Sequence, residues 1–233
     1  MRKLTDEEIE HYITAGKIAK NVLSYVVDYI SSKLRINLLE LCEFIETSII
    51  KYNAVPAFPC NICFNEIAAH YTPLSHTEEI IFDKGLLKID IGVCVDGYIA
   101  DSAITVARGD EYISIAKKNE EILNSAIDYF RPNKKLSEVG KYIEEEALKN
   151  GYKPISNLSG HLIERYNLHA GKSVPNVYYP HLPIIEPWEV YAIEPFLTFQ
   201  NKRGEVAEAD SIRIFSLVKT KKIKDKILDQ IRK

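Results

Sequence analysis

Apolar residues near the start of the chain recur at helical spacing. Thr5 followed by Glu8 has the form of a capping box, which predicts that a helix begins there. A second helix is predicted to begin after Asn37, and the two prolines in residues 55–59 cannot continue it. The apolar positions of the first helix are Ile9, Tyr12, Ile13, Ala19, Val22, Leu23, Val26, Val27 and Ile30, and those of the second are Leu41, Ile45 and Ile49.

Between residues 85 and 107 the apolar residues alternate instead, which predicts two β-strands. Asp96-Gly97 between them is a strong hairpin signal, because a type I′ turn needs positive φ at both central residues. A two-residue turn places Asp101 opposite Gly92, where the glycine is expected to leave open space. It also places Asp90 on the same face, roughly 7–8 Å from Asp101 between Cα atoms. The sequence therefore predicts two carboxylates that project together from one hairpin.

Two further helices are predicted at residues 111–130 and 137–149, separated by Arg131-Pro132-Asn133, with strands after them. The order helix, helix, strands thus occurs twice, although no sequence repeat is visible. This order predicts an α+β domain of two similar halves, with antiparallel sheets and helices on one side. Residues 219–233 form the pattern of a basic amphipathic helix, for which a solvated face is favoured over an RNA contact.

The composition is that of an ordinary soluble globular protein, with 46% hydrophobic and 27% charged residues and a formal net charge of -3. This charge excludes a general polyanion binder. No apolar run approaches the roughly 20 residues that span a bilayer, and the polar N-terminus is unlike a signal peptide, so we expect a cytoplasmic protein. Cysteines at Cys42, Cys60, Cys63 and Cys94 fit a reducing compartment. Cys60-x-x-Cys63 is interpreted as chance spacing, because a structural zinc site would need a second such pair.

The hairpin carboxylates alone favour a solvent-facing turn with two harmless aspartates over a metal site. His161, after a polar turn, and Glu194, within an otherwise apolar stretch, reverse that preference. Three carboxylates and one imidazole form an oxygen-rich set of ligands suited to Mn²⁺, Fe²⁺, Co²⁺ or Zn²⁺. Carboxylates that share an inward face also need a cation between them. The sequence therefore predicts that Asp90, Asp101, His161 and Glu194 bind two divalent metal ions.

A series of short motifs resembles those of type II methionine aminopeptidases, especially the archaeal ones. The likeness runs from the first helix essentially to the last residue, and the combination is specific although each motif alone is weak. It implies the pita-bread fold, with a domain over residues 1–218 whose pseudo-symmetric halves span about 1–110 and 111–218. The motifs are Pro56-Ala57-Phe58-Pro59, Asn65-Glu66-Ile67-Ala68-Ala69-His70-Tyr71-Thr72-Pro73, Lys88-Ile89-Asp90-Ile91-Gly92, Asp96-Gly97-Tyr98-Ile99-Ala100-Asp101, Ser159-Gly160-His161, Leu168-His169-Ala170-Gly171 and Tyr191-Ala192-Ile193-Glu194-Pro195.

The resemblance also implies the role of each metal ligand. Asp90 would bind one ion, Asp101 would bridge both ions, and His161 would bind the other ion together with Glu194. Glu194 would in addition move the proton of the attacking water.

Four further residues take roles in substrate binding from the same resemblance. His169 would stabilise the carbonyl oxygen during attack, and His70 would meet the leaving amide. Phe58 and Leu168 would form part of the apolar pocket for the methionine side chain, which suits a flexible thioether.

The sequence departs from the family pattern after Glu194. A fifth ligand, a bridging glutamate in a C-terminal strand, is not found, the last strands of the fold are missing, and residues 219–233 resemble the truncated start of the helical insertion of type II enzymes. Three explanations are open: the chain is a piece of a longer one, a second polypeptide supplies the strands and the glutamate, or the protein is a shortened relative that only binds.

Two functions of different classes are therefore weighed. The leading one is removal of the initiator methionine from nascent polypeptides, with a proline-specific peptidase as a lesser enzymatic alternative. The competing one is a non-catalytic pita-bread protein associated with the ribosome or RNA through its basic C-terminal residues.

Overall fold

A computed structural model describes residues 2–216 of the 233-residue chain as an α+β fold. Within that range we refer to the segment from α1 to β6 as the N-terminal half and to the segment from α3 to β11 as the C-terminal half. The elements are α1 (Asp6–Ser31), β1 (Arg35–Asn37), α2 (Leu38–Lys51), β2 (Val55–Pro56), β3 (Asn61–Phe64), β4 (Glu79–Ile81), β5 (Gly85–Val95), β6 (Tyr98–Arg108), α3 (Asp110–Tyr129), α4 (Leu136–Lys149), β7 (Tyr152–Pro154), β8 (Ser159–Ile163), β9 (Ser173–Pro175), β10 (Val190–Ala192) and β11 (Leu197–Phe199).

The first two helices begin where the sequence predicts. The Thr5 hydroxyl accepts a hydrogen bond from the Glu8 N–H, and the Glu8 carboxylate accepts one from the Thr5 N–H, which completes the capping box. Asn37 caps α2 by accepting from the Glu40 N–H at 3.1 Å. Ile13 differs from expectation, since its side chain is 42% exposed. The first buried residue of α1 is Ala15.

The core of the N-terminal half lies between α1, α2 and the sheet that β5 organises. β5 pairs with β2 and β3 along one edge and with β6 along the other. Alternate side chains of β5 are buried against the helices, so the intervening positions face the opposite side of the sheet. The β5 side chains in this core are Leu87, Ile89, Ile91 and Val93.

The hairpin that joins β5 to β6 has the predicted turn and register. Asp96 and Gly97 have φ values of 50° and 86°, as a type I′ turn requires, and Gly92 pairs with Asp101. The turn is attached to the C-terminal half, because Arg165 Nε donates to the Asp96 carbonyl at 2.9 Å. The Tyr166 N–H likewise donates to the Gly97 carbonyl at 2.8 Å.

The C-terminal half repeats the arrangement of helices over antiparallel strands. Helices α3 and α4 follow the prediction to within one residue at each start, and they cover a sheet of order β10-β8-β9 and a strand pair β7–β11. A small apolar cluster of Ile99, Ile163 and Ala192 draws on β6, β8 and β10. This cluster is where the two halves pack together, and the candidate site lies beside it.

Three further sequence expectations concern residues 219–233, membrane-spanning helices and the cysteines. The basic amphipathic helix predicted at 219–233 lies outside the described residues. None of the helices within residues 2–216 is both long and apolar enough to cross a bilayer. The four cysteines are free thiols; Cys63 is buried within β3, and Cys60 is buried directly before that strand.

Candidate metal centre

The hairpin brings Asp90 and Asp101 together on the sheet face opposite the helices. Asp101 pairs with Gly92, and Asp90 is two residues away along β5. The two carboxyl groups lie within hydrogen-bonding reach of each other. The predicted pair of carboxylates is therefore present, and both point away from the helices of the N-terminal half.

His161 and Glu194 reach the same place from the C-terminal half. β8 and β10 pair with His161 opposite Ala192, so that Glu194 lies two residues past the paired position. The sequence placed Glu194 inside an apolar strand, but β10 ends at Ala192. Pro195 lacks the N–H that a longer strand would use, and it follows Glu194 directly. A Cβ on Gly160 would collide with the Ala192 carbonyl, so the close approach of β8 to β10 requires glycine next to His161.

Three of the predicted ligands form a compact group. His161 Nε2 lies 3.3 Å from Asp101 Oδ2 and 3.3 Å from Glu194 Oε1. The ligand atoms of these three residues all lie within 4.8 Å of one another. Their side chains are largely buried, with exposed fractions of 10% for His161, 11% for Asp101 and 30% for Glu194. Asp90 is outside this compact group and joins it through Asp101.

The acids of this group are buried and lie close together, and both effects shift their pKa values. Burial, then the charges of Asp101 and Glu194, raise the pKa of Asp90 to about 8. Burial also raises the pKa of Glu194, against the hydrogen bond from His161. Burial would lower the pKa of His161, but its hydrogen bonds to Asp101 and Glu194 outweigh this and raise it to about 10. A positive charge bound between these carboxylates, from protons or a cation, would therefore be stabilising.

A divalent cation fits this set of donors. His161 Nδ1 is buried and makes no hydrogen bond to any described residue, and Glu194 Oε1 is buried with only its poorly aligned 3.3 Å contact to His161 Nε2. Such under-satisfied buried polar atoms are unfavourable unless a further partner is bound. Carboxylate oxygens with one imidazole are ligands of Mn²⁺, Fe²⁺, Co²⁺ and Zn²⁺ in proteins. The residues present thus match a metal centre in both chemistry and geometry.

Asn61 is a site residue that the sequence did not reveal. It lies in β3 directly opposite Asp90 and is only 2% exposed. Its Nδ2 lies 3.5 Å from Asp90 Oδ2 and 3.3 Å from the Pro59 carbonyl, while its Oδ1 has no partner among the described residues. The only available signal was the alternation of β3, which cannot place that strand beside Asp90.

Two of the predicted histidines flank the group. The ring of His169 lies 4.3 Å from that of His161, centroid to centroid, at an interplanar angle of 62°. Burial and the charge of His161 lower the pKa of His169, which favours the neutral imidazole. His70 has a left-handed backbone with φ 60° and is exposed. It lies near enough to His169 and Glu194 to influence the pKa of each.

The two predicted apolar pocket residues also lie beside the metal ligands. A Cβ at Gly92 would lie 2.5 Å from Cδ1 and Cε1 of Phe58 and 2.8 Å from Cβ of Ala57. The prediction of open space at Gly92 is therefore wrong, because the Phe58 ring fills it. Leu168 packs against the cluster at the junction of the halves, as does Ala57. Both residues thus pack against strands that carry or adjoin the ligands.

Comparison with known proteins identifies the family of this chain. The model of metallopeptidase family M24 matches residues 10–220. The chain belongs to metallopeptidase family M24. Its fold is the pita-bread fold of that family, as predicted, and this M24 chain is 44% identical over 213 residues to the methionine aminopeptidase of Pyrococcus horikoshii, covering 91% of this chain and 71% of the relative. It is 42% identical to that of Methanocaldococcus jannaschii, covering 97% and 78%.

Solved structures of several peptidases share the fold of the M24 chain. The methionine aminopeptidase of Thermotoga maritima superposes with a TM-score of 0.82 at 23% identity, over 92% of this chain and 88% of that one. The prolidase of Pyrococcus furiosus superposes with a TM-score of 0.64 at 18% identity, over 85% and 64%. At these identities the likeness concerns the fold alone, which aminopeptidases and prolidases share.

Proposed function

We propose that this protein is a metal-dependent aminopeptidase, a hydrolase that removes the N-terminal methionine of nascent polypeptides. The observation that carries the proposal is the convergence of Asp101, His161 and Glu194 from both halves of the fold, with ligand atoms within 4.8 Å. The substrate class is supported by the archaeal relatives, which are named methionine aminopeptidases and share 42–46% of their residues with most of the chain.

Two divalent ions, which would be Co, Mn, Fe or Zn, fit the centre. Asp90 would hold one ion, Asp101 would bridge the two, and His161 with Glu194 would hold the other. Once bound, the ions would lower the pKa of water and polarise the scissile carbonyl group.

The chain's own residues would manage protons and developing charge. Glu194 would accept the proton of the attacking water, and the burial that raises its pKa brings a carboxylate closer to the range useful for a general base. His169, held neutral beside His161, has one N–H to donate to the carbonyl oxygen as negative charge develops. His70 would face the leaving amide.

The apolar side of the site would select the substrate. Phe58 and Leu168 would contact the methionine side chain, and their packing near the ligands would hold that pocket close to the reacting carbonyl. The flexible thioether side chain of methionine can adapt its shape to such an apolar wall, and it buries no strongly polar atom there.

Location and partners complete the proposal. The four free thiols support a reducing compartment, the cytoplasm, where nascent chains are found. We also propose a transient ribosome contact through basic residues 219–233. A further proposal is a second polypeptide that carries an additional glutamate ligand.

The test is methionine release from Met-Ala-Ser after each metal is added to the metal-free protein. We expect release by the wild type, none above background from Asp101→Asn, and unchanged release from Asp28→Asn, an exposed acid of α1. Full activity in Asp101→Asn would defeat the mechanism. Preferential cleavage of an Xaa-Pro peptide would instead identify a prolidase-like enzyme. Metal binding without any peptide cleavage would support the non-catalytic binding protein.

A further inference from the structure

A cluster of side chains joins the last described segment of the chain to the loop that follows His70. Arg213 Nη1 donates to both carboxylate oxygens of Glu78, at 2.9 and 3.1 Å, and to the Thr72 carbonyl at 3.2 Å. The Arg213 guanidinium also lies 4.1 Å from the centroid of the Tyr71 ring. The Tyr71 hydroxyl in turn donates to Glu78. Arg213 lies 135 residues from Glu78 in the sequence, so this is a tertiary connection.

The cluster is more closely packed than a surface ion pair. The side chains of Arg213 and Glu78 are only 20% and 17% exposed, and the contact is charge-assisted at both carboxylate oxygens. Glu78 Oε1 also accepts from the backbone N–H groups of Leu74 and Ser75, at 2.8 and 3.0 Å. The Glu78 carboxylate therefore binds the loop at several positions, and Arg213 neutralises the charge of that carboxylate.

The loop held by this cluster starts beside β3, the strand that contacts the candidate metal centre. His70 precedes Tyr71 directly and has the left-handed φ of 60°. The Tyr71 carbonyl accepts from the Ile62 N–H at 2.8 Å, in the strand whose Asn61 contacts Asp90. The backbone of Tyr71 is thus fixed by β3, and its ring and hydroxyl are fixed by Arg213 and Glu78. Because His70 shares a peptide bond with Tyr71, a shift of Tyr71 moves His70.

We infer that Arg213 is a positioning residue, which acts through Tyr71 to hold His70 near His169 and Glu194 of the candidate metal centre. The inference rests on the proposed aminopeptidase function, in which His70 faces the leaving amide. Arg213 itself touches none of the metal ligands. A merely structural ion pair would stabilise the fold without any particular dependence on His70, whereas a positioning residue loses its effect on catalysis once His70 is removed.

The test compares Arg213→Gln in two backgrounds of the metal-loaded protein. With Met-Ala-Ser we expect kcat/KM to fall about 10- to 100-fold in the wild type. In a His70→Ala background the fall should be no more than about twofold, because the residue through which Arg213 acts is absent. Arg213→Lys keeps the charge and should recover part of the loss. Equal falls in both backgrounds would overturn the inference.

A matched control and a second measurement separate this inference from the proposed function. Arg35→Gln breaks the exposed pair of Arg35 with Glu79, the next residue after Glu78, and should leave kcat/KM unchanged. Hydrogen exchange of the amides of residues 71–78 should become faster in Arg213→Gln and not in Arg35→Gln. Unchanged exchange there overturns the inference whatever the activity. A wild type that binds metal but releases no methionine defeats the proposed function instead.

Discussion

Replacement of Gly92 by alanine tests how tightly the pocket wall is packed against the metal-binding hairpin. The added Cβ would lie 2.5 Å from two carbons of the Phe58 ring and 2.8 Å from the Ala57 Cβ. Non-bonded carbons prefer about 3.5–4.0 Å, so the ring would have to retreat by about 1 Å. The loop cannot simply withdraw, because the Ala57 N–H donates to the Gly92 carbonyl at 2.9 Å. Overpacking of this kind destabilises a protein by about 1–3 kcal/mol.

The same displacement is expected to reduce activity, since Phe58 is proposed to contact the methionine side chain. A misplacement of about 1 Å near the substrate can reduce the rate by as much as about 100-fold. We expect KM for Met-Ala-Ser to rise more than kcat falls, because the wall contacts the side chain and not the reacting carbonyl.

Urea unfolding and steady-state kinetics of Gly92→Ala measure both effects. Gly16→Ala is the matched control, because its Cβ meets nothing within 4 Å and the residue lies inside α1. That control should be about 0.5–1 kcal/mol more stable than the wild type, since alanine favours a helix over glycine. Adding Phe58→Leu to Gly92→Ala should recover stability. If Gly92→Ala is as stable and as active as the wild type, the packing argument is refuted.

Two further predictions concern metal affinity and pH. Asn61→Leu should weaken metal binding about 10- to 100-fold by calorimetry, because its amide orients Asp90; unchanged affinity would exclude that role. In the metal-free protein the folded state keeps a proton on Asp90, whose pKa of about 8 exceeds the ordinary value of 3.8, and on His161, whose pKa is about 10 against 6.5. Urea unfolding should therefore show stability falling as pH rises through about 4–8 for Asp90 and further toward 10 for His161. Metal should reverse this trend, since its ligands bind deprotonated, and a stability that rises with pH in the metal-free protein would contradict the assignment.

The parts of the fold that could be predicted are those set by neighbours in the sequence. The capping box of Thr5 and Glu8 involves one helical turn, and the turn at Asp96-Gly97 fixes the register of two strands. Because strand residues alternate, that register was enough to place both hairpin carboxylates on one face.

The parts that could not be predicted depend on distant segments. Asn61 meets Asp90 only because β3 pairs with β5 across 29 residues, and nothing local to either strand specifies that pairing. The Phe58 ring fills the space at Gly92 because a loop returns over the sheet, so a glycine that looked like an opening is a packing contact. The role of each ligand came from the family resemblance, and those roles stay predictions.

The position of the centre explains why the two halves depend on each other. Asp90 and Asp101 come from one half and Glu194 from the other, so three carboxylates would repel one another where the halves pack. In the metal-free protein the raised pKa values of Asp90 and His161 relieve this repulsion with protons. Divalent ions would take the place of those protons and would attract the carboxylates of both halves. This attraction would act beside the apolar cluster that joins the halves. Metal binding should therefore stabilise the packing of the halves as well as prepare the site for catalysis.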